Sequence, residues 1–174
     1  QFEAIHPFVD GNGRVGRVLL AIMIYKMLGH RNPWLYLSAY FERYKNEYIE
    51  NLFRVSTHDD WESWIEFCLR GVVWQAKESI RRCDRLQAIK VEYLGQVKNP
   101  SSRSFPIIEG LFHDPVVTAP SLAAKHGVTW PTAKADIEKL IDAAILKELP
   151  DTWPRAYAAL KIMDAAYGET EQWN

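Results

Sequence analysis

The chain has 174 residues, enough to bury one substantial hydrophobic core or two small ones. Its 48% apolar and 25% charged residues are typical of a globular protein, and its formal net charge of −1 excludes a strong general attraction to nucleic acid or anionic membranes. The sequence shows no signal-peptide pattern and no apolar run long enough to span a bilayer, so we predict no membrane attachment.

The first feature along the chain is a stretch dense in reactive groups. Residues 6–17 read His-Pro-Phe-Val-Asp-Gly-Asn-Gly-Arg-Val-Gly-Arg, with one imidazole, one carboxylate, three glycines and two guanidinium groups. Apolar residues then recur at helical spacing over 14–28, and Gly29 stands where a helix-ending glycine is expected. Because that pattern is apolar on most sides, it predicts a central helix that begins at the glycine-rich loop.

The glycines and arginines of this stretch favour binding of an extended anion. Gly11 and Gly13 allow positive φ and close approach of the backbone, so several N–H groups can converge on one ligand. The helix that starts here adds the positive end of its dipole. Arg14 and Arg17 lie three residues apart, on one side of the first turn. The pattern predicts a site for a diphosphate or triphosphate.

Two further side chains predict the chemistry at this site. A carboxylate at Asp10 is compatible with neighbouring phosphates if a divalent cation lies between them, and Mg²⁺ commonly binds in this way. Histidine is the side chain that most often serves as a general base, and His6 supplies one here. Together these groups indicate attack by a hydroxyl group on a nucleotide phosphate.

Two common nucleotide-binding motifs are excluded. Residues 11–16 match the dinucleotide pattern G-x-G-x-x-G literally, but no hydrophobic strand precedes them and no βαβ unit follows. Tyr36 stands where the acid that binds the ribose is sought. No Lys-Ser/Thr pair follows the glycines, which excludes a Walker A loop.

The middle of the chain predicts two more helices. Ser38 is a suitable N-cap for a helix over 39–55, and Asp59 or Asp60 caps a long helix over 61–97. Cys68 and Cys83 fall on this long helix about 22 Å apart, too far for a disulfide, which favours a reducing, cytoplasmic location.

The composition changes after the long helix. Asn-Pro-Ser-Ser at 99–102 predicts a linker, so we assign a first domain to 1–98, a linker to 99–104 and a second domain to 105–174. The pattern of the second domain predicts a short helix at 106–112 and an extended stretch at 114–118. Two helices at 121–126 and 130–143 follow, separated by a turn at 127–129. Residues 145–149 and 156–160 are then predicted to pair as a hairpin. This order is typical of a winged helix. The predicted fold class is therefore mainly α, with one small β-hairpin.

The winged helix raises a second hypothesis, a DNA-binding regulator. Residues 101–174 carry seven Lys and Arg against ten Asp and Glu. The predicted recognition helix, 130–143, carries two lysines against three acids. DNA-binding surfaces are normally basic, so we favour a role in protein interaction or dimerisation and regard DNA as electrostatically disfavoured.

Residues 6–17 also carry a family resemblance. Every position of His-Pro-Phe-x-Asp-Gly-Asn-Gly-Arg-x-Gly-Arg is present, and by this motif the chain resembles the Fic (Fic/Doc) family. The runs at 36–41 and 60–65, and the winged helix behind them, are also similar to the family. The resemblance implies a helical Fic core in a protein adenylyltransferase, which transfers AMP from ATP to a Ser, Thr or Tyr hydroxyl of a target protein.

The resemblance also implies a role for each motif position. His6 would deprotonate the incoming hydroxyl, Asp10 would hold Mg²⁺, and Phe8 would anchor the loop in the core. The implied nucleotide-binding residues are Gly11, Asn12, Gly13, Arg14, Gly16 and Arg17. Among these, the asparagine and the loop amides would bind the α-phosphate, and the two arginines would hold the outer phosphates.

Several alternatives stay open. A Fic-type enzyme could move phosphate, UMP or phosphocholine, or remove AMP. In the family, helices and a target-binding flap precede the motif, but only five residues precede it here, so we expect a C-terminal part of a longer protein. No residues match the inhibitory pattern Ser/Thr-x-x-x-Glu-Gly/Asn. An inhibitory helix would therefore lie before the chain or on a partner, and a homodimer is also open.

Overall fold

The computed structural model describes residues 2–29, 37–97 and 103–168. Within these ranges the chain is mainly α-helical with one three-stranded sheet, which confirms the predicted fold class. The helices are α1 (Phe2–Ile5), α2 (Asn12–Met27), α3 (Ser38–Arg43), α4 (Lys45–His58), α5 (Trp61–Gln96), α6 (Ser104–Leu111), α7 (Ala119–His126), α8 (Trp130–Asp142) and α9 (Leu160–Tyr167). The strands are β1 (Val116–Thr118), β2 (Lys147–Glu148) and β3 (Ala156–Ala158).

The chain forms two compact units, Gln1–Ile80 and Arg81–Asn174. Helix α5 contributes its first part to one unit and its second part to the other. Cys68 and Cys83 lie on this helix as free cysteines, which confirms that they do not pair. None of the helices in the described ranges has the length and apolarity needed to cross a membrane.

The first unit has an aromatic core. Tyr40, Phe41 and Phe67 are at most 4% exposed, and the rings of the first two lie 5.1 and 5.7 Å from that of Phe67. A Cβ atom at Gly71 would stand 2.7 Å from the Tyr40 ring. The glycine therefore allows the ring to pack directly against the backbone of α5.

The predicted helix over 39–55 is wrong in one respect. The structure has two helices, α3 and α4, which meet at Tyr44 (φ −111°, ψ 41°). Tyr40, Tyr44 and Tyr48 keep the i, i+4 spacing across this break, so periodicity alone cannot reveal it. Ser38 is also not the N-cap, because α3 begins at this residue and Leu37 precedes it.

The start of α5 agrees with the sequence. Asp60 Oδ1 accepts a hydrogen bond of 3.1 Å from the backbone N–H of Ser63, the third residue of the helix. This contact confirms Asp60 as the capping residue.

Helix α2 has the predicted position but not the predicted burial. Gly29 ends it in the left-handed region (φ 62°), as expected. Asn12 is the one buried residue of α2, whereas Ile22 and Met23 are 45% and 58% exposed. In the described part of the chain, α2 packs against the aromatic core through Leu20 and Ile24, which corrects the expectation of a central helix.

The second unit has an aliphatic core around a small sheet. The strand order is β1-β3-β2 and all pairs are antiparallel, with Tyr157 opposite both Val117 and Glu148. Helix α7 begins with a capping box in which the side chains of Thr118 and Ser121 each accept the other's backbone N–H. Gly127 ends α7 at φ 61° and begins the predicted turn before α8.

The elements of this unit follow the order helix, strand, two helices, two strands and a final helix. The winged-helix assignment stays a prediction. The sequence predicts one strand over 156–160, but β3 ends at Ala158 and an additional helix, α9, starts at Leu160. Residues 99–102 of the predicted linker and Tyr36 lie outside the described residues. The predicted domain boundaries stay a prediction.

Candidate active site

Two residues in the left-handed region shape the loop between α1 and α2. His6 has φ 49° and Gly11, the residue before α2, has φ 84°. The His6 ring is exposed, with Nδ1 3.4 Å from the carbonyl oxygen of Glu3. Its imidazole is therefore open to solvent at the mouth of the loop.

Asn12 braces this loop from inside. It is 2% exposed, its Oδ1 accepts a hydrogen bond of 2.9 Å from the Phe8 N–H, and its Nδ2 donates one of 2.6 Å to the Phe8 carbonyl. The side chain thus shapes the loop, where the resemblance implied a direct phosphate contact. Because both polar atoms of its side chain already bond to Phe8, Asn12 can contact an anion through its backbone N–H, which lies in the first turn of α2.

Phe8 does not anchor the loop in a core. Its side chain is 48% exposed, and its ring contacts that of Phe2 at 6.3 Å. The implied anchoring role is corrected: the hydrogen bonds of Asn12 hold the backbone of Phe8, while its ring stays at the surface.

Asp10 and Arg14 form an exposed pair at the rim. Asp10 Oδ1 accepts a 2.6 Å hydrogen bond from the Gly11 N–H, and Oδ2 lies 3.1 Å from Arg14 Nη2. The two side chains are 90% and 73% exposed. An ion pair this exposed contributes little to stability. Each of the two groups can therefore leave the other and bind a ligand instead.

The N-terminus of α2 is left without a capping side chain. The first N–H groups of a helix have no intrahelical partner. The first turn of α2 contains no acidic residue, and no side chain caps it. No acidic side chain of this first turn therefore offsets the positive end of the helix dipole, a feature that favours an anion.

Arg14 and Arg17 converge as the sequence predicts. Both line one open depression of about 400 Å³, together with Ser38 and Glu42. Arg17 Nη1 also lies 3.3 Å from the position of a Cβ atom on Gly13, so its guanidinium reaches back to the loop.

Arg17 also lines a second cavity of about 400 Å³, which has several aromatic walls. Its walls include Tyr48, Trp61 and Trp64. In the sequence, Tyr48 and Trp64 simply fit the apolar spacing of their helices, as residues in ordinary helix packing also do. No sequence signal ties them to the loop, since the contact depends on how α4 and α5 pack beside α2.

Gly16 has a packing role in this arrangement. A Cβ atom here would overlap the Glu3 carboxylate and approach Phe2 Cδ1 to 3.3 Å. The glycine thus makes room for α1, which differs from the nucleotide contact that the resemblance implied.

The residues of the site fit a metal ion that binds together with a nucleotide. Among the described residues, no three His, Cys, Asp or Glu side chains lie together as a metal cage. Asp10 offers a single exposed carboxylate. Mg²⁺ is commonly held by one or two carboxylates and the phosphates of a nucleotide, so the single carboxylate of Asp10 fits Mg²⁺ that binds together with a nucleotide.

Comparison with known proteins identifies the same segment. Residues 1–24 match the model of the Fic/DOC family. A protein from Aquifex aeolicus (strain VF5), named a probable protein adenylyltransferase, is 57% identical over 42 residues. This stretch covers 22% of the present chain and 13% of the relative. The resemblance to the Fic/DOC family is confirmed over the segment that carries the motif.

Proposed function

We propose that the protein is a Fic-type protein adenylyltransferase, which moves AMP from ATP to a Ser, Thr or Tyr hydroxyl of a target protein. The observation that carries this proposal is the N-terminus of α2, which no side chain caps and which is followed by two arginines that line one depression. The exposed His6 lies on the loop that leads into this helix. The relative's name and the family match at 1–24 support the choice of transferred group.

The loop would bind ATP through its phosphates. The backbone N–H groups at Asn12 and Gly13 face the α-phosphate, and the dipole of α2 favours its negative charge. Arg14 and Arg17 bind the outer phosphates, where planar guanidinium groups can make paired hydrogen bonds. Arg14 gives up its exposed contact with Asp10 for this purpose.

His6 would act as the general base. Its imidazole takes the proton from the target hydroxyl, whose oxygen forms a bond to the α-phosphorus of ATP. The bond from this phosphorus to the bridging oxygen of the β-phosphate breaks, and pyrophosphate leaves. The exposed position of His6 leaves room for a protein side chain to approach.

Asp10 would hold Mg²⁺ once it leaves Arg14. The ion supplies charge neutralisation along the phosphate chain. Asp10 also keeps its hydrogen bond to the Gly11 N–H, which fixes the direction of its carboxylate.

A labelling experiment tests the proposal and its alternatives. Purified protein is incubated with Mg²⁺, a cell lysate and ATP labelled at either the α- or the γ-phosphate, in wild-type and His6→Ala forms. AMP transfer labels protein from α-labelled ATP alone, and the variant loses the label. Label from the γ-position alone indicates phosphate transfer and overturns the proposal, as does equal labelling by the two forms.

For the second unit we propose a role in protein interaction. Both lysines of α8 lie 3.8 Å from acids on the same helix, Lys134 from Glu138 and Lys139 from Asp136. Trp153, in the loop between β2 and β3, is 95% exposed. An α8 with three acids against two lysines disfavours phosphate contacts, and tryptophan is enriched at protein interfaces.

A gel shift with duplex DNA separates the two roles of this unit. We expect no shift at about 150 mM salt. A shifted band whose intensity falls steeply as salt rises would indicate phosphate contacts and favour the DNA-binding regulator.

A further inference from the structure

We propose that an exposed apolar stripe on α5 docks a second copy of this chain. Two copies of the helix pack antiparallel about a twofold axis, so that each stripe covers the other. The stripe lies on a different helix from the loop at 6–17 and takes no part in the transfer reaction proposed above.

The stripe is formed by four side chains of the first unit, Ile65, Leu69, Val73 and Ile80. They are between 52% and 61% exposed, and their spacing places them on one face of the helix. The opposite face of α5 packs in the aromatic core through Phe67. Within the described ranges the stripe is left uncovered, and a contiguous exposed apolar surface marks an interaction site.

The charges beside the stripe identify its partner. Two acids, Glu62 and Glu66, lie beside its first half, and two cations, Arg70 and Lys77, lie beside its second half. Arg70 already pairs with Glu47 on α4, so Lys77 is the cation that meets a partner. Antiparallel copies bring the acidic half of one stripe against the basic half of the other, whereas parallel copies bring like charges together. The charge order therefore fits a second copy in the antiparallel direction.

One twofold axis satisfies the apolar and the charged contacts together. Leu69 of each copy faces Val73 of the other when the axis passes α5 at the level of Gly71. At a rise of about 1.5 Å per residue, the axis that pairs Glu66 with Lys77 lies only about 0.8 Å farther along the helix. These two charged residues are about three turns apart, so they flank the stripe on one side and stay on that side after the rotation. Each contact therefore occurs twice in the dimer.

Helix α2 provides a contrast. It also exposes apolar side chains, among them Ile22 and Met23. Its charged residues are all basic, namely Arg14, Arg17 and Lys26. Two copies of α2 would repel each other, so its exposed face does not fit the same partner.

Charge reversal tests the pairing of Glu66 with Lys77. Between identical copies, Glu66→Lys and Lys77→Glu each place like charges at both contacts. Each variant should raise the dimer dissociation constant about 10-fold in analytical ultracentrifugation, because two weak surface attractions become repulsions. A mixture of the two variants has opposite charges at both contacts, so it should form a heterodimer with the affinity of the wild-type dimer.

Two further variants complete the test. Leu69→Glu places a carboxylate in the middle of the stripe and should abolish the dimer, and the exposed position lets the chain keep its fold. Glu50→Lys makes the same charge change as Glu66→Lys on the exposed surface of α4, and it should leave the dimer unchanged. Circular dichroism checks the fold of each form.

Three results overturn the proposal. The first is a wild-type chain that stays monomeric up to about 100 μM, in which case another protein or a different segment of the same protein covers the stripe. The second is a dimer that persists in Leu69→Glu. The third is a mixture of Glu66→Lys and Lys77→Glu that associates no more tightly than either variant alone.

Discussion

Asn12 holds Phe8 at both ends of its backbone, donating to its carbonyl oxygen at 2.6 Å and accepting from its N–H at 2.9 Å. These two bonds connect the first turn of α2 to the loop that carries His6 and Asp10. The most buried side chain of the motif is thus the one that shapes the loop for the exposed ones.

Replacing this brace should loosen the loop. Asn12→Ala leaves the N–H and C=O of Phe8 without these partners, at a cost of about 1–3 kcal/mol. Amide hydrogen exchange measured by mass spectrometry over residues 2–29 should rise at Phe8 and in the first turn of α2.

Asn46→Ala is the control for this experiment, because Asn46 is exposed on α4. It should leave exchange in residues 2–29 unchanged. Unchanged protection at Phe8 in Asn12→Ala would contradict the bracing role.

The backbone at Gly11 predicts a second effect on stability. A side chain at φ 84° is strained, so Gly11→Ala should destabilise the protein by about 1–2 kcal/mol in urea unfolding. Gly95 lies in α5 with nothing within 4 Å of its Cβ position. There the same substitution should stabilise by about 0.5–1 kcal/mol, since glycine weakens a helix. If both substitutions raised the unfolding free energy, or both lowered it, the argument from backbone strain at Gly11 would be contradicted.

The sequence predicts the parts of this molecule that depend on local chemistry. The cap at Asp60, the glycine at Gly29 and the extent of α5 follow from propensity and spacing, and the structure has all three. The convergence of Arg14 and Arg17 follows from their i, i+3 spacing on one helix.

The remaining parts depend on contacts between elements. The break at Tyr44 keeps the periodicity of the helix, so no pattern marks it. Arg17 and Tyr48 line one cavity although they lie on helices distant in sequence, and the burial of Asn12 is set by how the loop folds back on it. Contacts between separate elements produce no pattern in residue spacing, so the sequence alone does not predict them.

Asp60 predicts a dependence of stability on pH. The Ser63 backbone N–H, followed by smaller contributions that include Arg54, lowers the pKa of the Asp60 carboxyl below 3.8. A carboxyl whose pKa is lower in the folded state stabilises the protein above its unfolded pKa, and this contribution is lost as the pH falls through the folded pKa.

Asp60→Asn isolates this effect, because asparagine also caps helices but does not ionise. Between about pH 6 and pH 2.5, wild type should lose more unfolding free energy than Asp60→Asn in urea titrations. Parallel losses in the two proteins would show that Asp60 does not contribute.

The two cysteines should differ in reactivity. Burial raises the pKa of the Cys68 thiol to about 11, so about one molecule in a thousand carries the thiolate at pH 8. Cys83 is exposed on the same helix. Iodoacetamide at pH 8, followed by peptide mass mapping, should label Cys83 first and Cys68 slowly. Labelling of Cys68 at the rate of Cys83 would contradict its burial.

The central claim is that residues 6–17 bind ATP and that His6 performs the proton transfer. The most direct test measures binding and transfer on the same His6→Ala protein. We predict that its affinity for Mg²⁺–ATP stays within about twofold of the wild type, while transfer of α-label to protein falls at least about 100-fold. Transfer by His6→Ala at the wild-type rate would contradict the claim.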